Sequence, residues 1–397
     1  MNDLVYPRER TLGMVTLVLG VAAWVALIGG TFGVALLVLA VGYVLYLFVH
    51  SALIAHVKGN GVELSEAQFP DIWAQFTACC ERLEMKDRPT VYVLNGNGGL
   101  NAFATKFLGS QYVVLLADVV DAMKEHPDGV RFYVGHELGH LRMKHLQGQL
   151  LRWPALWLPL LGAAYSRARE STCDRHGLAC SSSPEAAARA MTALSAGTQR
   201  WKSIDLSLYL QQVHHSSGFW MSLHELNAGY PWLTKRVSRV IDPTRALPRR
   251  SRLAWFISAF IPYAGPGGAL LGVLMMFYAF VIVGAIAVPA FRDQMAKVTL
   301  SATATQTQPE LDKLAAYYTA HDEPPATLEA AALPAQLSSG AALALNPENM
   351  VLTVTTKVGA VLFVPSVDDA GKVSWTCKSG EGTKPTQLPE SCRGPSE

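Results

Sequence analysis

The amino-acid sequence predicts a mostly α-helical membrane protein. A helical domain with a small β-sheet lies between membrane spans, and an α+β domain follows. Three observations carry this. Half of the 397 residues are apolar and only 16% are charged, against about 25% charged in an ordinary soluble domain. No Asp, Glu, Lys or Arg occurs from Thr11 to Val57, a run far too long for one crossing of a ~30 Å hydrocarbon core at about 1.5 Å per residue. A second apolar run, about 267–291, separates the charged central segment from a polar tail.

Residues 1–57 read as a two-helix transmembrane hairpin with Gly29-Gly30 near its middle. A cleaved signal peptide would need a shorter apolar stretch and a small-residue cleavage site. Residues 253–291 read as an interfacial segment and a third span. Arg8 and Arg10 precede the first span, and Arg249, Arg250 and Arg252 precede the third. Positive flanks stay in the cytoplasm, so the central segment, 58–250, is expected inside and residues 292–397 outside. The net charge of +2 and the lack of a long basic run argue against a nucleic-acid partner.

Within the central segment, Ser65-Glu66-Ala67-Gln68 reads as a capping box opening an amphipathic helix to about Met85. Thr90–Leu94 and Gln111–Leu116 read as strands on either side of the loop Asn95–Gly99. Asp128 can cap a helix from about Gly129 to Lys144. Segments 167–180, 184–200 and 231–241 also read as helices. Leu150–Tyr165 is apolar but short and holds Pro154 and Pro159, which suits a membrane-surface or re-entrant piece.

The Gly129–Lys144 helix carries His136-Glu137-Leu138-Gly139-His140. Histidines four apart share one helix face, and two imidazoles at that spacing can grip one Zn²⁺ at about 2.0–2.1 Å. Glu137 follows the first ligand, where it can take a proton from a metal-activated water and pass it to a leaving amine. A third ligand ten residues after the first is excluded, because that position is Leu146, and His145 misses the register. Glu170 is the better candidate. Asp174, one turn on, can fix the tautomer of a ligand histidine. Taken alone, the pair would read as carboxylates on a charged face beside Arg167, Arg169 and Arg175. His224-Glu225 does not repeat the motif, since Ala228 stands where a second histidine would be.

These paired motifs resemble the integral-membrane zinc gluzincins typified by HtpX and the CAAX prenyl endopeptidases, over about 60–245. The resemblance implies zinc ligands His136, His140 and Glu170, one Zn²⁺ per chain, Glu137 as base and Asp174 as the partner behind a ligand. Asn101-Ala102-Phe103-Ala104 matches a family segment that binds substrate backbone, so Asn101, Ala102 and Phe103 become substrate-binding candidates. The family often shows His-Pro-Pro followed by Arg near the end of the domain. Here Gly229-Tyr230-Pro231-Trp232 and Arg236 stand in that place, so Tyr230 replaces the histidine; its hydroxyl is a candidate for oxyanion stabilisation, and Arg236, which fits the family's Arg, is a further catalytic candidate. The family also carries two spans between its zinc motifs, where this chain offers only Leu150–Tyr165.

Cys377 and Cys392 lie in the polar tail and can close a short loop in an oxidising compartment. Cys79, Cys80, Cys173 and Cys180 form no C-x-x-C pair and read as small, buried, reduced residues. The region 278–394 resembles a type IV pilin: an apolar helix holding Pro289, strand-like runs at Met350–Thr356 and Ala360–Val364, and a C-terminal Cys377/Cys392 loop. The Gly-Phe processing junction is missing. The resemblances imply an α-helical gluzincin domain and a pilin-like domain in a bacterial inner membrane. They also imply a multi-pass topology, a membrane-associated polypeptide substrate and contact with the lipid bilayer. The rival reading from another class is a non-catalytic membrane scaffold with a structural metal.

Overall fold

The structure is a computed structural model that describes residues 4–99, 101–265, 269–368, 371–389 and 392. It divides into two compact units, Met1–Tyr278 and Ala279–Glu397.

The first unit opens with α1 (Pro7–Gly30) and α2 (Val34–Asn60). Pro7 sits in the first turn of α1, where its missing N–H is no loss. Gly33, at φ 86°, makes the reversal before α2. Helices of 24 and 27 residues span about 36 and 40 Å, enough for a bilayer core. Among the described residues three helices, these two and a later one, are long and apolar enough to cross a membrane.

Strand β1 (Val62–Glu63), helix α3 (Pro70–Arg82), β2 (Thr90–Leu94), β3 (Ala102–Phe107) and β4 (Ser110–Leu116) follow. The sheet order is β1-β2-β4-β3, with β2 parallel to β4 and β3 antiparallel to it. Strand β3 is therefore an edge. Its alternation splits the sheet into two faces. Val91, Val113, Leu115 and Ala102 face the main core with Phe76, Leu83 and Leu138. Tyr92, Tyr112, Val114 and Phe103 face Ile54 and Val57 at the end of α2.

Two helix starts differ from the sequence reading. Ser65–Gln68 forms a turn, with Ser65 Oγ accepting from Gln68 N at 3.1 Å, and α3 begins only at Pro70. A residue before proline is driven out of the right-handed helical region, and Phe69 sits at φ 63°, so a helix opened at Ser65 cannot run through. Asp128 is not the cap of its helix either: Pro127 takes the first position and His126 the cap. Asp128 instead accepts hydrogen bonds from the backbone and hydroxyl of Ser182.

The remaining helices of this unit are α4 (Ala117–Ala122), α5 (Pro127–Arg142), α6 (Gln149–Leu156), α7 (Leu161–Cys180), α8 (Pro184–Arg200), α9 (Leu206–Gln211), α10 (Phe219–Asn227), α11 (Leu233–Ile241) and α12 (Arg252–Ser258). The segment 150–165 breaks at Leu160, φ 64°, into α6 and the start of α7. Both lie along α1. A side chain at Gly20 would run into the backbone of Leu151, and one at Gly13 would meet the Tyr165 ring. Trp24 donates from Nε1 to Leu150 O at 2.8 Å and stacks on Trp153. Small residues thus let the first span approach closely, as membrane helix pairs require.

Helix α13 (Ala269–His321) carries the third apolar stretch and continues as a polar helix into the second unit. There β5 (Ala342–Leu345), β6 (Leu352–Thr356), β7 (Gly359–Val367) and β8 (Val373–Ser379) form an antiparallel meander. Leu300, Leu311 and Leu314 of α13 pack with Leu343, Leu352, Val361 and Phe363. Cys377 and Cys392 are joined in a disulfide, while Cys79, Cys80, Cys173 and Cys180 are free and buried.

Candidate metal centre

Glycine brings α5 and α7 together. A Cβ at Gly135 would lie 2.8 Å from Cys180 Sγ, one at Gly139 would lie 3.0 Å from His176 Cβ, and one at Gly177 would lie 2.7 Å from Phe132 O. This close crossing sets His136 and His140 of α5 against Glu170 and Asp174 of α7.

Glu170 faces both imidazoles. His136 Nε2 lies 3.4 Å from Glu170 Oε2, and His140 Nε2 lies 3.6 Å from Oε1. Two ligand atoms, each about 2.0–2.1 Å from a tetrahedral ion, are about 3.4 Å apart. Glu170 is 4% exposed, and its Oε2 has no hydrogen-bond partner. A carboxylate oxygen left unsatisfied in the interior is costly, and a cation between it and the two rings would satisfy it. The residues present therefore fit a metal of the zinc type.

Each ring is braced from behind. His136 Nδ1 lies 3.1 Å from Asp174 Oδ1, off the line of a full hydrogen bond. Asp174 is gripped by Arg236, Nε to Oδ2 at 2.9 Å and Nη2 to Oδ1 at 2.6 Å. Arg236 thus stands behind Asp174, with Nη2 4.0 Å from Glu170 Oε2. On the other ring, His140 Nδ1 lies 3.1 Å from His145 Nδ1, and His145 Nε2 lies 2.8 Å from Glu9 Oε1. The other oxygen of Glu9 accepts from the Thr172 hydroxyl. A buried carboxylate in the first turn of α1 is thereby tied to the metal site.

The electrostatics follow this bracing. Burial disfavours the charged form of His136, but the carboxylates of Asp174 and Glu170 outweigh it and raise its pKa to about 10. His140 is lowered to about 3 by burial, against the pull of Glu170. Burial would raise Glu170, yet His136, His140 and Arg236 hold it at about 2. Glu137 is raised by burial to about 7, opposed by the charge of His136 and by a hydrogen bond from the backbone of Ala104.

That last bond connects Glu137 to edge strand β3. Asn101 O accepts from Leu116 N, so by antiparallel alternation residues 101, 103 and 105 face β4, and the backbones of Ala102 and Ala104 face outward. Asn101 is exposed, and its Oδ1 accepts from Ala102 N at 2.9 Å. Phe103 packs on the α2 side of the sheet. Tyr230 is 47% exposed, and its hydroxyl is raised to about 12, first by Glu170 and then by burial.

Three residues near the centre escape a reading of the sequence as motifs: Glu9, His145 and Cys173. Ligand atoms of His136, His140 and Cys173 lie within 4.8 Å of one another, a second group that could hold a metal. Cys173 Sγ sits 3.6 Å from His145 Nδ1, on the braced side of His140. Burial, with Glu170 and Glu137 nearby, pushes its thiol well above the ordinary range, a shift that a bound metal would oppose by deprotonating the thiol. Glu170 and Cys173 are thus two candidates for a third ligand. Glu225 is not part of this site: it is a buried partner of Lys235 and Arg250 at 2.6 and 2.8 Å. His176 is a core residue whose Nδ1 lies 2.8 Å from Thr172 O.

A buried His-Glu-His-Glu constellation thus lies on crossed helices, in a unit with apolar membrane-length helices. Residues 66–164 match the model of peptidase family M48. The match covers 99 of the 397 residues. It takes in His136, Glu137 and His140 but ends before Glu170, Asp174, Tyr230 and Arg236. No curated protein and no solved structure matches the chain.

Proposed function

We propose that the chain is a membrane-bound zinc endopeptidase, with His136, His140 and Glu170 as the ligands. The observation that carries this is the Glu170 carboxylate, 3.4 and 3.6 Å from the two Nε2 atoms with one oxygen unpartnered. Zinc held there would supply Lewis-acid activation of a water and of the scissile carbonyl.

The chain's own residues do the rest. A peptide added to the outer edge of β3 is held by main-chain hydrogen bonds to the outward carbonyls of Ala102 and Ala104, with Asn101 and Phe103 beside them. Glu137, beside Ala104, takes a proton from the attacking water and delivers it to the leaving amine. The Tyr230 hydroxyl donates to the oxyanion. Arg236 acts through Asp174, fixing its carboxylate against His136.

Substrates are polypeptides in or at the bilayer, in membrane-protein quality control or maturation. The positive flanks of the first and third spans support a cytoplasmic catalytic domain and an extracytoplasmic C-terminal domain of pilin type, in a bacterial inner membrane. The antiparallel meander and the Cys377–Cys392 disulfide support that last assignment. The test is the Glu137→Gln variant. It is expected to retain zinc at wild-type stoichiometry while losing cleavage of casein. Equal cleavage by both forms refutes the catalytic reading and favours a scaffold with a structural metal.

A further inference from the structure

Arg167 stands on α7 one turn before Glu170 and is 6% exposed, so it belongs to no solvated face. Residues three apart on a helix are neighbours. Its Nη1 donates to three carbonyls: Glu225 O at 2.6 Å, Leu226 O at 3.0 Å and Ala228 O at 2.7 Å. Glu225 and Leu226 belong to the last turn of α10, and Ala228 is its cap. The last four carbonyls of a helix have no partner within it. Carbonyl oxygens gathered at the negative end of a helix dipole suit a cation. Burial, with Arg250 nearby, lowers the Arg167 pKa to about 10, so the guanidinium is still charged at neutral pH.

What Arg167 grips is the root of the turn that carries Tyr230. Ala228 leaves α10 in an extended conformation, and Tyr230 follows two residues on, before α11 opens at Leu233. The far side of the turn is closed by Lys235 of α11, whose Nζ lies 2.6 Å from Glu225 Oε2. Trp232 adds a bond from Nε1 to Met221 O at 3.1 Å. The turn is thus held at both ends, while the Tyr230 side chain at its tip stays half exposed. Its hydroxyl feels the charges of Glu170 and Glu137.

We propose that Arg167 is a positioning residue, which ties the end of α10 to α7 beside Glu170 and so fixes the Tyr230 hydroxyl relative to the metal centre. The role rests on the peptidase reading, in which that hydroxyl donates to the oxyanion. Such a donor must be in place before charge develops, so a displaced one costs rate rather than substrate binding.

The test combines hydrogen–deuterium exchange with kinetics on labelled casein, using zinc-loaded, full-length protein in detergent. In Arg167→Gln the amides of the 228–232 turn are expected to exchange about tenfold or more faster, with α5 unchanged. Its kcat is expected to fall about 10- to 100-fold at unchanged KM and zinc stoichiometry. Tyr230→Phe is expected to lower kcat about 100-fold, and adding Arg167→Gln to it to cost less than about twofold more. Arg167→Lys keeps the charge on a shorter stem. It is expected to recover part of the lost kcat, and it shows the same effects at smaller size if Arg167→Gln does not fold. Unchanged exchange in the turn, a loss carried by KM, or additive losses in the double variant each overturn the proposal. Full kcat in Tyr230→Phe sinks the oxyanion role of Tyr230, and intact casein with the wild type sinks the peptidase reading. Either also overturns the catalytic part of the proposal, while the exchange rates still show whether Arg167 holds the turn.

Discussion

Replacing Gly177 with alanine perturbs the α5–α7 crossing without touching any candidate ligand. The added Cβ would lie 2.7 Å from Phe132 O and 2.8 Å from the Phe132 ring, short of ordinary 3.4 Å contact by about 0.7 Å. Alanine in a helix gains about 1 kcal/mol over glycine, whereas overpacking costs about 1–3 kcal/mol, so the net effect is a loss of up to about 2 kcal/mol. The larger consequence falls on the metal. Parting the helices by about 0.7 Å would stretch the 3.4 and 3.6 Å spacings between Glu170 and the histidines past 4 Å. Ligands about 2.0–2.1 Å from one ion can be that far apart only if nearly collinear, which tetrahedral zinc does not allow. Zinc affinity measured by competition with a chromophoric chelator is expected to fall about 10- to 100-fold. Gly59→Ala, where a Cβ meets nothing within 4 Å, is the control and should leave affinity unchanged. Wild-type zinc affinity in folded Gly177→Ala would refute the claim that glycine at this crossing assembles the site.

Two further outcomes follow from groups around the centre. Glu9→Gln weakens the brace on His140 through His145 and is expected to lower zinc affinity about tenfold, while Glu9→Asp retains part of it; unchanged affinity in Glu9→Gln would show that the α1 carboxylate plays no part. Glu225 is the second. Burial would raise its carboxyl, but Arg250 and Lys235 outweigh burial and hold it below its ordinary 4.5. A depressed carboxylate contributes stability above its unfolded pKa and loses it as pH falls through the folded one. Thermal unfolding should therefore show stability falling with pH below 4.5 in the wild type, with a shallower slope in Glu225→Gln. Parallel slopes would contradict the assignment.

The parts of the site that lie within one helix could be read from the sequence. His136 and His140 declare themselves by a spacing of four, whereas Glu170 and Asp174, read alone as carboxylates on a charged face, are singled out only by the resemblance to the gluzincins. The hairpin of α1 and α2 could be read because a run without charge has few other uses. Contacts that depend on distant chain segments could not. Glu9 and His145 are 136 residues apart, and the only local sign of Glu9 is a lone carboxylate between Arg8 and Arg10 at the mouth of an apolar helix. The start of α3 was obscured by a serine and a glutamine at capping-box spacing, whose signal Phe69-Pro70 overrides. Cys173 is a buried cysteine by composition, and only the crossing of α5 and α7 puts its sulfur near His140.

That sulfur makes the identity of the third ligand the most direct test of the account. Zinc K-edge X-ray absorption on the zinc-loaded, full-length protein reads the ligand atoms themselves. A nitrogen/oxygen shell at about 2.0–2.1 Å with no sulfur is expected, unchanged in Cys173→Ser and lost with the zinc in Glu170→Ala. A sulfur scatterer at about 2.3 Å, abolished by Cys173→Ser and retained in Glu170→Ala, would contradict it.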